Sequence, residues 1–141
     1  MKRGWRWVSF LSAALIFTVA SCTKTSTDKS REVADRFIGL YYARMNMAEA
    51  AKLCSGAVRA ELEGRLRAIK GVAPDQPAGE PRVTFALSAS ANPTPTQATY
   101  TYTVTAHTSD VGNVVATLTV TEEGGRWAVT SFNETEGPPR S

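Results

Sequence analysis

Residues 98–106 read ATYTYTVTA, and this stretch decides the fold class. Every second residue is apolar or aromatic, and the four residues between them are all threonine. Side chains of a β-strand point alternately to opposite faces, so this period of two predicts a strand with one buried face and one threonine face. The buried face is expected to carry Ala98, Tyr100, Tyr102, Val104 and Ala106.

The same alternation continues on both sides of this strand. One apolar series follows it from Val114 to Val120, and a last strand is expected at 126–132. Turn-forming residues separate the series, and short connections between successive strands predict an antiparallel meander of four strands. The first strand is expected to bury Val83, Phe85, Leu87 and Ala89.

The part of the chain before the strands has a helical period. Val33, Phe37 and Tyr41 fall on one stripe of a helix that we expect to begin at Ser30. Strands with one apolar face need a layer that covers this face, and helices supply it.

Two further helices are expected after the first. Asn46, followed by Glu49, predicts the start of a short second helix that ends near Gly56. A third helix is expected over 57–70, with its apolar face formed by Val58, Leu62, Leu66 and Ile69. The sequence therefore predicts an α+β domain, with three N-terminal helices packed on a curved four-stranded antiparallel sheet.

Two segments resemble the NTF2-like superfamily, in particular its small lipoprotein members of the DUF4878 and lumazine-binding-like type. The first segment is 37–53, where aromatic residues end one helix before a short helical turn. The second is 124–129, where a strand begins with Trp, a spacer and an aliphatic residue. The resemblance covers the expected domain, residues 30–134. It implies a cystatin-like cone whose open end can hold a small ligand; some members are isomerases or dehydratases, and others only bind or assemble.

The first residues are typical of a signal peptide. A cationic start precedes an apolar stretch, Val8 to Ala20, that is too short to span a bilayer. The segment from Val19 to Cys22 resembles the lipobox of bacterial lipoproteins, which implies cleavage after residue 21 and acylation of Cys22. The alternative is an ordinary secretory leader that ends near a cysteine.

Acylation of Cys22 would hold the protein on a membrane, since several acyl chains anchor more stably than one. Thr23 follows the cysteine, and by the sorting rule of Gram-negative lipoproteins it favours the outer membrane, facing the periplasm. Residues 22–29 are polar and are expected to form a lipidated tether. Residues 135–141 are expected to be a disordered tail.

Charge excludes one class of partner. Three of the 16 basic residues lie in the leader, so 13 remain against 13 acidic residues, and the processed chain has a formal charge of zero. Neither sign forms a run, so we expect no nucleic acid binding. Cys54 would have no disulfide partner once Cys22 is acylated, and we expect it to be a buried, inert thiol.

The sequence offers few candidates for catalysis or metal binding. An enzyme of the NTF2-like superfamily usually places Asp or His inside the cone, but none of the candidate aspartates here is expected to point into a pocket. His107 belongs to the threonine face and cannot by itself form a metal site. We expect no catalytic residues, no metal and no cofactor; the aspartates considered are Asp28, Asp35, Asp75 and Asp110.

The aromatic residues on apolar stripes are the candidate lining of a ligand pocket for a small apolar ligand. They fill a core equally well, because a buried aromatic needs no ligand. The candidates are Tyr41, Tyr42, Tyr100, Tyr102 and Trp127.

The threonine face is the candidate interaction surface, since solvated faces usually carry Lys, Glu or Arg and this one carries none. The alternative is that threonine is a good strand residue. This surface would form the contact in a homodimer or with an envelope-protein partner. The candidate contact residues at its centre are Thr101, Thr103, Thr117 and Thr119.

Three hypotheses for function follow. The first is a non-enzymatic, lipid-anchored NTF2-like binding or interaction module. The second is an isomerase or dehydratase acting on a small hydrophobic substrate, in which Tyr100 or Tyr102 would be the proton donor. A tyrosine with an ordinary pKa near 10 is a poor base at neutral pH, which favours the first hypothesis. The third is a solid, purely structural domain.

Overall fold

A computed structural model describes residues 26–70, 82–107 and 112–138. The predicted leader, Cys22, Asp75 and Asp110 lie outside the described residues, as do residues 139–141 of the expected tail. Within the described ranges the elements are α1 Ser26–Ile38, a π-helical segment Gly39–Ala43, α2 Met47–Lys52, α3 Gly56–Ala68, β1 Val83–Thr94, β2 Gln97–Ala106, β3 Val114–Glu123 and β4 Arg126–Glu136.

The strands form one curved antiparallel sheet in the order β1-β2-β3-β4, and the helices pack on one face of it. The predicted α+β class and four-stranded meander are confirmed. The strands are longer than expected. β4 continues to Glu136, and the Gly137 amide then donates to the Asn113 carbonyl at 2.7 Å, so residues 135–137 are ordered by backbone bonds and do not belong to a disordered tail.

The described strands have three register irregularities, two in β1 and one in β4, and two of these three bulges change which side chains face the helices. In β1 the extra residue is Ser88, so Ala89 lies opposite Thr101 on the threonine face, and the prediction that Ala89 is buried is wrong. In β4 the extra residue is Thr130, which turns Phe132 inward opposite Leu118. One inserted residue reverses the alternation beyond it, which a pattern of period two does not reveal.

α1 supplies most of the helical side of the core. Its buried residues are Ser30, Ala34, Phe37 and Ile38, whereas Val33 and Tyr41, expected on one stripe with Phe37, are only partly buried. The helix begins at Ser26, four residues before the predicted start. Residues 26–29 are therefore helical and not part of the tether, and Asp28 lies in the first turn, where a negative charge is favourable.

A break in the helical backbone follows α1. The π-helical segment widens the last turn, and Met45 then adopts a left-handed backbone conformation with φ +50°. The Asn46 side chain accepts a hydrogen bond from the Glu49 amide at 3.1 Å, which confirms that Asn46 caps α2.

The turn between α2 and α3 is tied to the sheet. Cys54 forms a one-residue parallel bridge with Val129 of β4: the Ser55 amide donates to the Val129 carbonyl, and the Val129 amide donates to the Leu53 carbonyl. α3 then buries Val58 and Leu62. Ile69, predicted to share their face, follows the end of the helix and is 50% exposed.

Candidate functional site

Tyr100 and Tyr102 project from β2 into the layer between α1 and the sheet. They are only 2% and 1% exposed, and both hydroxyls have partners on α1. The Tyr100 hydroxyl lies 2.7 Å from the Ser30 hydroxyl, and the Tyr102 hydroxyl donates to the Asp35 carboxylate at 2.5 Å. The helix and the sheet are thus joined by two buried phenols, and these rings belong to the core.

Asp35 was not expected to point into a pocket, and its carboxylate instead contacts Tyr102 on the inner face of the sheet. Arg31 holds it from the other side, with Nε 2.8 Å and 3.0 Å from its two oxygens. Burial, and then the hydrogen bond to Asp35, raise the pKa of Tyr102 above its ordinary value. Tyr102 is therefore a protonated donor at neutral pH and cannot act as a base there.

Tyr41 and Tyr42 belong to an aromatic cluster at the C-terminal end of α1, which they form with Phe37 and Phe132. Phe132 lies at centroid distances of 5.1 Å from Phe37 and 5.0 Å from Tyr41, both edge to face. The Tyr42 hydroxyl donates to Glu134, and Arg65 donates to the Tyr41 hydroxyl at 2.9 Å. This end of the helix–sheet layer is filled by rings.

Two cavities lie along α1, and Trp127 lines both of them. The first, called here the hairpin pocket, has a volume of about 400 Å³. It lies between the start of α1 and the tip of the β1–β2 hairpin, and none of the described residues that line it is charged. Its lining is Thr27, Ser30, Asn92, Pro93, Thr94, Pro95, Gln97, Ala98 and Trp127.

The second cavity, called here the cationic pocket, has a volume of about 260 Å³. It lies between α1, the end of α2 and the β3–β4 turn. Three of its residues are basic and one is acidic. Its lining is Lys29, Glu32, Val33, Arg36, Leu53, Gly125, Arg126 and Trp127.

Of the five residues predicted to line a pocket, Trp127 alone lies on the walls of these two cavities. The four tyrosines pack in the core or in the aromatic cluster, because partners on α1, α3 and β4 fill the space beside their rings. Sequence reasoning missed Lys29, Arg36 and Arg126, which are separated along the chain. The only available signal was the spacing of Lys29 and Arg36, seven residues apart on one helical face.

The threonine face has the composition that was predicted. Its hydroxyls pair across the strands: Thr101 lies 3.3 Å from Thr117, and Ser88 lies 2.7 Å from Thr103. Further pairs join Thr99 to Thr119 and Thr121 to Thr130. From Val83 to Ala106 no residue is Lys, Arg, Asp or Glu. Much of this face therefore exposes methyl groups between hydroxyls that already have partners.

The remaining candidates do not converge on a reactive site. Cys54 is buried, and burial raises the pKa of its thiol to about 12, so it stays protonated at neutral pH. His107 is exposed at the end of β2. Across residues 26–70, 82–107 and 112–138, no group of three or more His, Cys, Asp or Glu is placed to hold a metal ion.

No family model, curated protein or solved structure matches this chain. Among the helices that the structure describes, none is long and apolar enough to cross a membrane.

Proposed function

We propose that this protein is a lipid-anchored interaction module of the bacterial cell envelope, with an NTF2-like fold and no enzymatic activity. Its membrane attachment is the acylated Cys22, on the outer membrane and facing the periplasm. Its contact surface is the threonine face, which pairs with the same face of a second copy. The proposal is supported by the lipobox-like segment, by helices on one face of a curved antiparallel sheet, and by the uncharged opposite face.

The observation that carries the proposal is the pairing of hydroxyls on the threonine face. Burying an unpaired hydroxyl is costly, whereas a hydroxyl that keeps its hydrogen bond loses less when water is removed. The Thr101–Thr117 and Thr99–Thr119 pairs keep a partner when the face is covered. Since the middle of the face has no charge, two copies meet without like-charge repulsion.

The size of the face predicts a weak dimer. Four strands at about 4.8 Å spacing and seven residues at about 3.3 Å give a flat area of roughly 300–400 Å². This is about half of the ~800 Å² that each partner buries in a standard interface. Association is therefore expected to depend on concentration, and anchoring in one membrane would raise the concentration at which two copies meet.

The alternative, an isomerase or dehydratase acting on a small hydrophobic substrate, has one supporting observation, the contact between Asp35 and Tyr102. A catalytic pair must touch its substrate. Tyr102 is buried, its pKa is raised, and neither pocket reaches it. These facts favour the interaction module.

Sedimentation of the detergent-solubilised lipoprotein over a range of concentrations tests the contact surface. The unmodified protein is expected to dimerise at high concentration, and a double variant, Thr101→Lys with Thr117→Lys, is expected to stay monomeric. Thr96→Lys, which places the same charge in the exposed β1–β2 turn, is the control and should dimerise normally. A strict monomer at every concentration would overturn the proposal that the protein dimerises. A different envelope protein that binds only the unmodified threonine face would then be the partner in place of a second copy.

The anchor has a separate test, which is the mass of the processed protein. The N-terminal peptide should begin at Cys22 and carry the mass of the acyl chains. In Cys22→Ser, processing and membrane retention should both be lost. An unacylated N-terminus in the unmodified protein would contradict the proposal.

A further inference from the structure

We infer that the cationic pocket binds the phosphate of an anionic lipid headgroup in the membrane that anchors the protein. This inference rests on the proposed lipid anchor, and it names the ligand of the cationic pocket.

The charges of the pocket favour an anion. Lys29 and Arg36 come from one face of α1, and Arg126 comes from the start of β4, so two separate elements direct cations to one cavity. Among the described residues, no acidic side chain forms an ion pair with any of these three. Of the described residues in the lining, three are basic and Glu32 alone is acidic, which leaves a positive excess for a phosphate to neutralise.

A contrast within α1 supports this assignment. On another side of the same helix, Arg31 is held by both oxygens of Asp35. On α3, Arg59 and Arg65 pair with Glu63 and Glu61 at 2.8 Å and 2.6 Å. The pocket cations are exposed, and among the described residues no carboxylate pairs with them, so a phosphate would not compete with one for their charges.

The floor of the pocket fits an amphiphile better than a free ion. Val33, Leu53 and the Trp127 ring supply apolar surface next to the cations. Tryptophan is enriched at the membrane interface, where its ring meets both the headgroups and the start of the acyl chains. A lipid headgroup with its first methylenes matches both parts of this lining.

The position of the pocket also suits a lipid. Cys22 precedes the first residue of α1, Ser26, by four residues, which span at most about 14 Å. Lys29 lies about 5 Å further along the helix, at 1.5 Å per residue. The pocket is therefore within reach of the membrane surface whenever Cys22 is anchored in it.

Trp127 makes the inference measurable. Of the three tryptophans in the sequence, Trp5 and Trp7 belong to the leader, so the processed protein has a single tryptophan, on the wall of the pocket. The processed lipoprotein is reconstituted into vesicles of phosphatidylcholine with an increasing fraction of phosphatidylglycerol. Trp127 emission is expected to change as the phosphatidylglycerol fraction rises, and a brominated phosphatidylglycerol is expected to quench it.

Charge-removing variants assign the response to the pocket. Lys29→Gln and Arg126→Gln should each require about fivefold more phosphatidylglycerol for the same response, since a basic residue near an anionic surface contributes on the order of 1 kcal/mol. Arg67→Gln, an exposed change of the same charge on α3, is the control and should behave as the unmodified protein does. Circular dichroism should show all three folded.

The other possible results of this experiment would contradict either the pocket or the anchor. No dependence on phosphatidylglycerol, or equal responses in all variants, would overturn the inference. The same response to inorganic phosphate in pure phosphatidylcholine vesicles would identify a free anion as the ligand and would also overturn it. A protein that does not remain with any vesicle would instead contradict the lipid anchor, which separates that failure from a failure of the pocket.

Discussion

The two ends of α1 meet the sheet in opposite ways. At the C-terminal end, four aromatic rings contact one another and leave little space. Toward the N-terminal end, Trp127 belongs to none of the ring pairs among the described residues, and two cavities that share it lie along the helix, one of them reaching Arg36. We call these the aromatic end and the pocket end. A large aromatic side chain therefore fills the space between helix and sheet only where other large side chains pack against it.

The residues that face each ring explain the difference. At the aromatic end, the bulge at Thr130 turns Phe132 toward Phe37 and Tyr41. At the pocket end, the first turns of α1 contribute small or flexible side chains, such as Thr27, Ser30 and Lys29. The aromatic end is therefore expected to supply stability, and the pocket end to accommodate a ligand.

High pH should have the largest effect, and it should act through Tyr42 of the aromatic end and through Tyr102. Burial raises the pKa of Tyr42 and of Tyr102 above the ordinary value of 10.0, and hydrogen bonds to Glu134 and Asp35 raise it further. Because the folded state holds these protons more tightly, their stabilisation is complete below pH 10 and is lost as the pH rises above it.

Tyrosinate absorbance and circular dichroism, followed together from pH 9 upward, check this prediction. Part of the tyrosinate signal should appear only when the helix signal is lost. Tyr42→Phe should move that transition to higher pH. Ionisation of all four tyrosines near pH 10 in a protein that stays folded would show that the rings are more accessible than the structure indicates.

Phe37→Ala should have the next largest effect. The side chain is fully buried and contacts two other rings, so its removal leaves a cavity and should lower the free energy of unfolding by about 3–5 kcal/mol. Chemical denaturation measures the loss. Tyr41→Phe, which keeps the ring and removes one exposed hydrogen bond, is the matched control and should cost less than about 0.5 kcal/mol.

Trp127→Ala tests the difference between the two ends of α1. Trp127 is at least as large as Phe37, but it has cavities beside it. We expect a loss of about 2 kcal/mol, below the usual range for a buried aromatic, since fewer atoms pack against the ring. The same denaturation experiment should rank it clearly below Phe37→Ala. Equal losses would mean that the two ends are packed equally well.

Tyr102→Phe should have the smallest effect of the series. It removes the hydrogen bond to Asp35 but keeps the ring, and Arg31 still pairs with the carboxylate. The expected loss is about 1.5 kcal/mol, the lower end of the range for a hydrogen bond to a charged group, because the carboxylate keeps its other partner. A loss above about 3 kcal/mol would indicate that the contact between Asp35 and Tyr102 organises the whole layer.

The local sequence contained enough information for most of the fold. Alternation with a period of two identified the strands, and the Asn46–Glu49 spacing identified the start of α2. These signals depend on neighbours in the chain. The bulges at Ser88 and Thr130 depend on pairing between strands, so the positions of Ala89 and Phe132 could not be obtained from the pattern.

The candidate site was less predictable than the fold. Trp127 was identified as a pocket residue, but Lys29, Arg36 and Arg126 come together only after α1 has packed beside the β3–β4 turn. The contact between Asp35 and Tyr102 also forms only when α1 packs on the sheet, so the sequence did not reveal it. The i,i+4 spacing of Arg31 and Asp35 by itself indicated an ordinary ion pair on a solvated helix face.

The bridge between Cys54 and Val129 has a consequence for self-assembly. A sheet can grow by adding strands at either edge, and two free edges would permit an open fibre. Here the outer edge of β4 is already occupied at Val129 by the Cys54 segment, and Glu134 and Glu136 add charge further along the strand. At β1, the other edge of the sheet, no described strand pairs with the outer side. Strand addition at β4 is thereby hindered, so growth of an open fibre, which needs two free edges, is disfavoured.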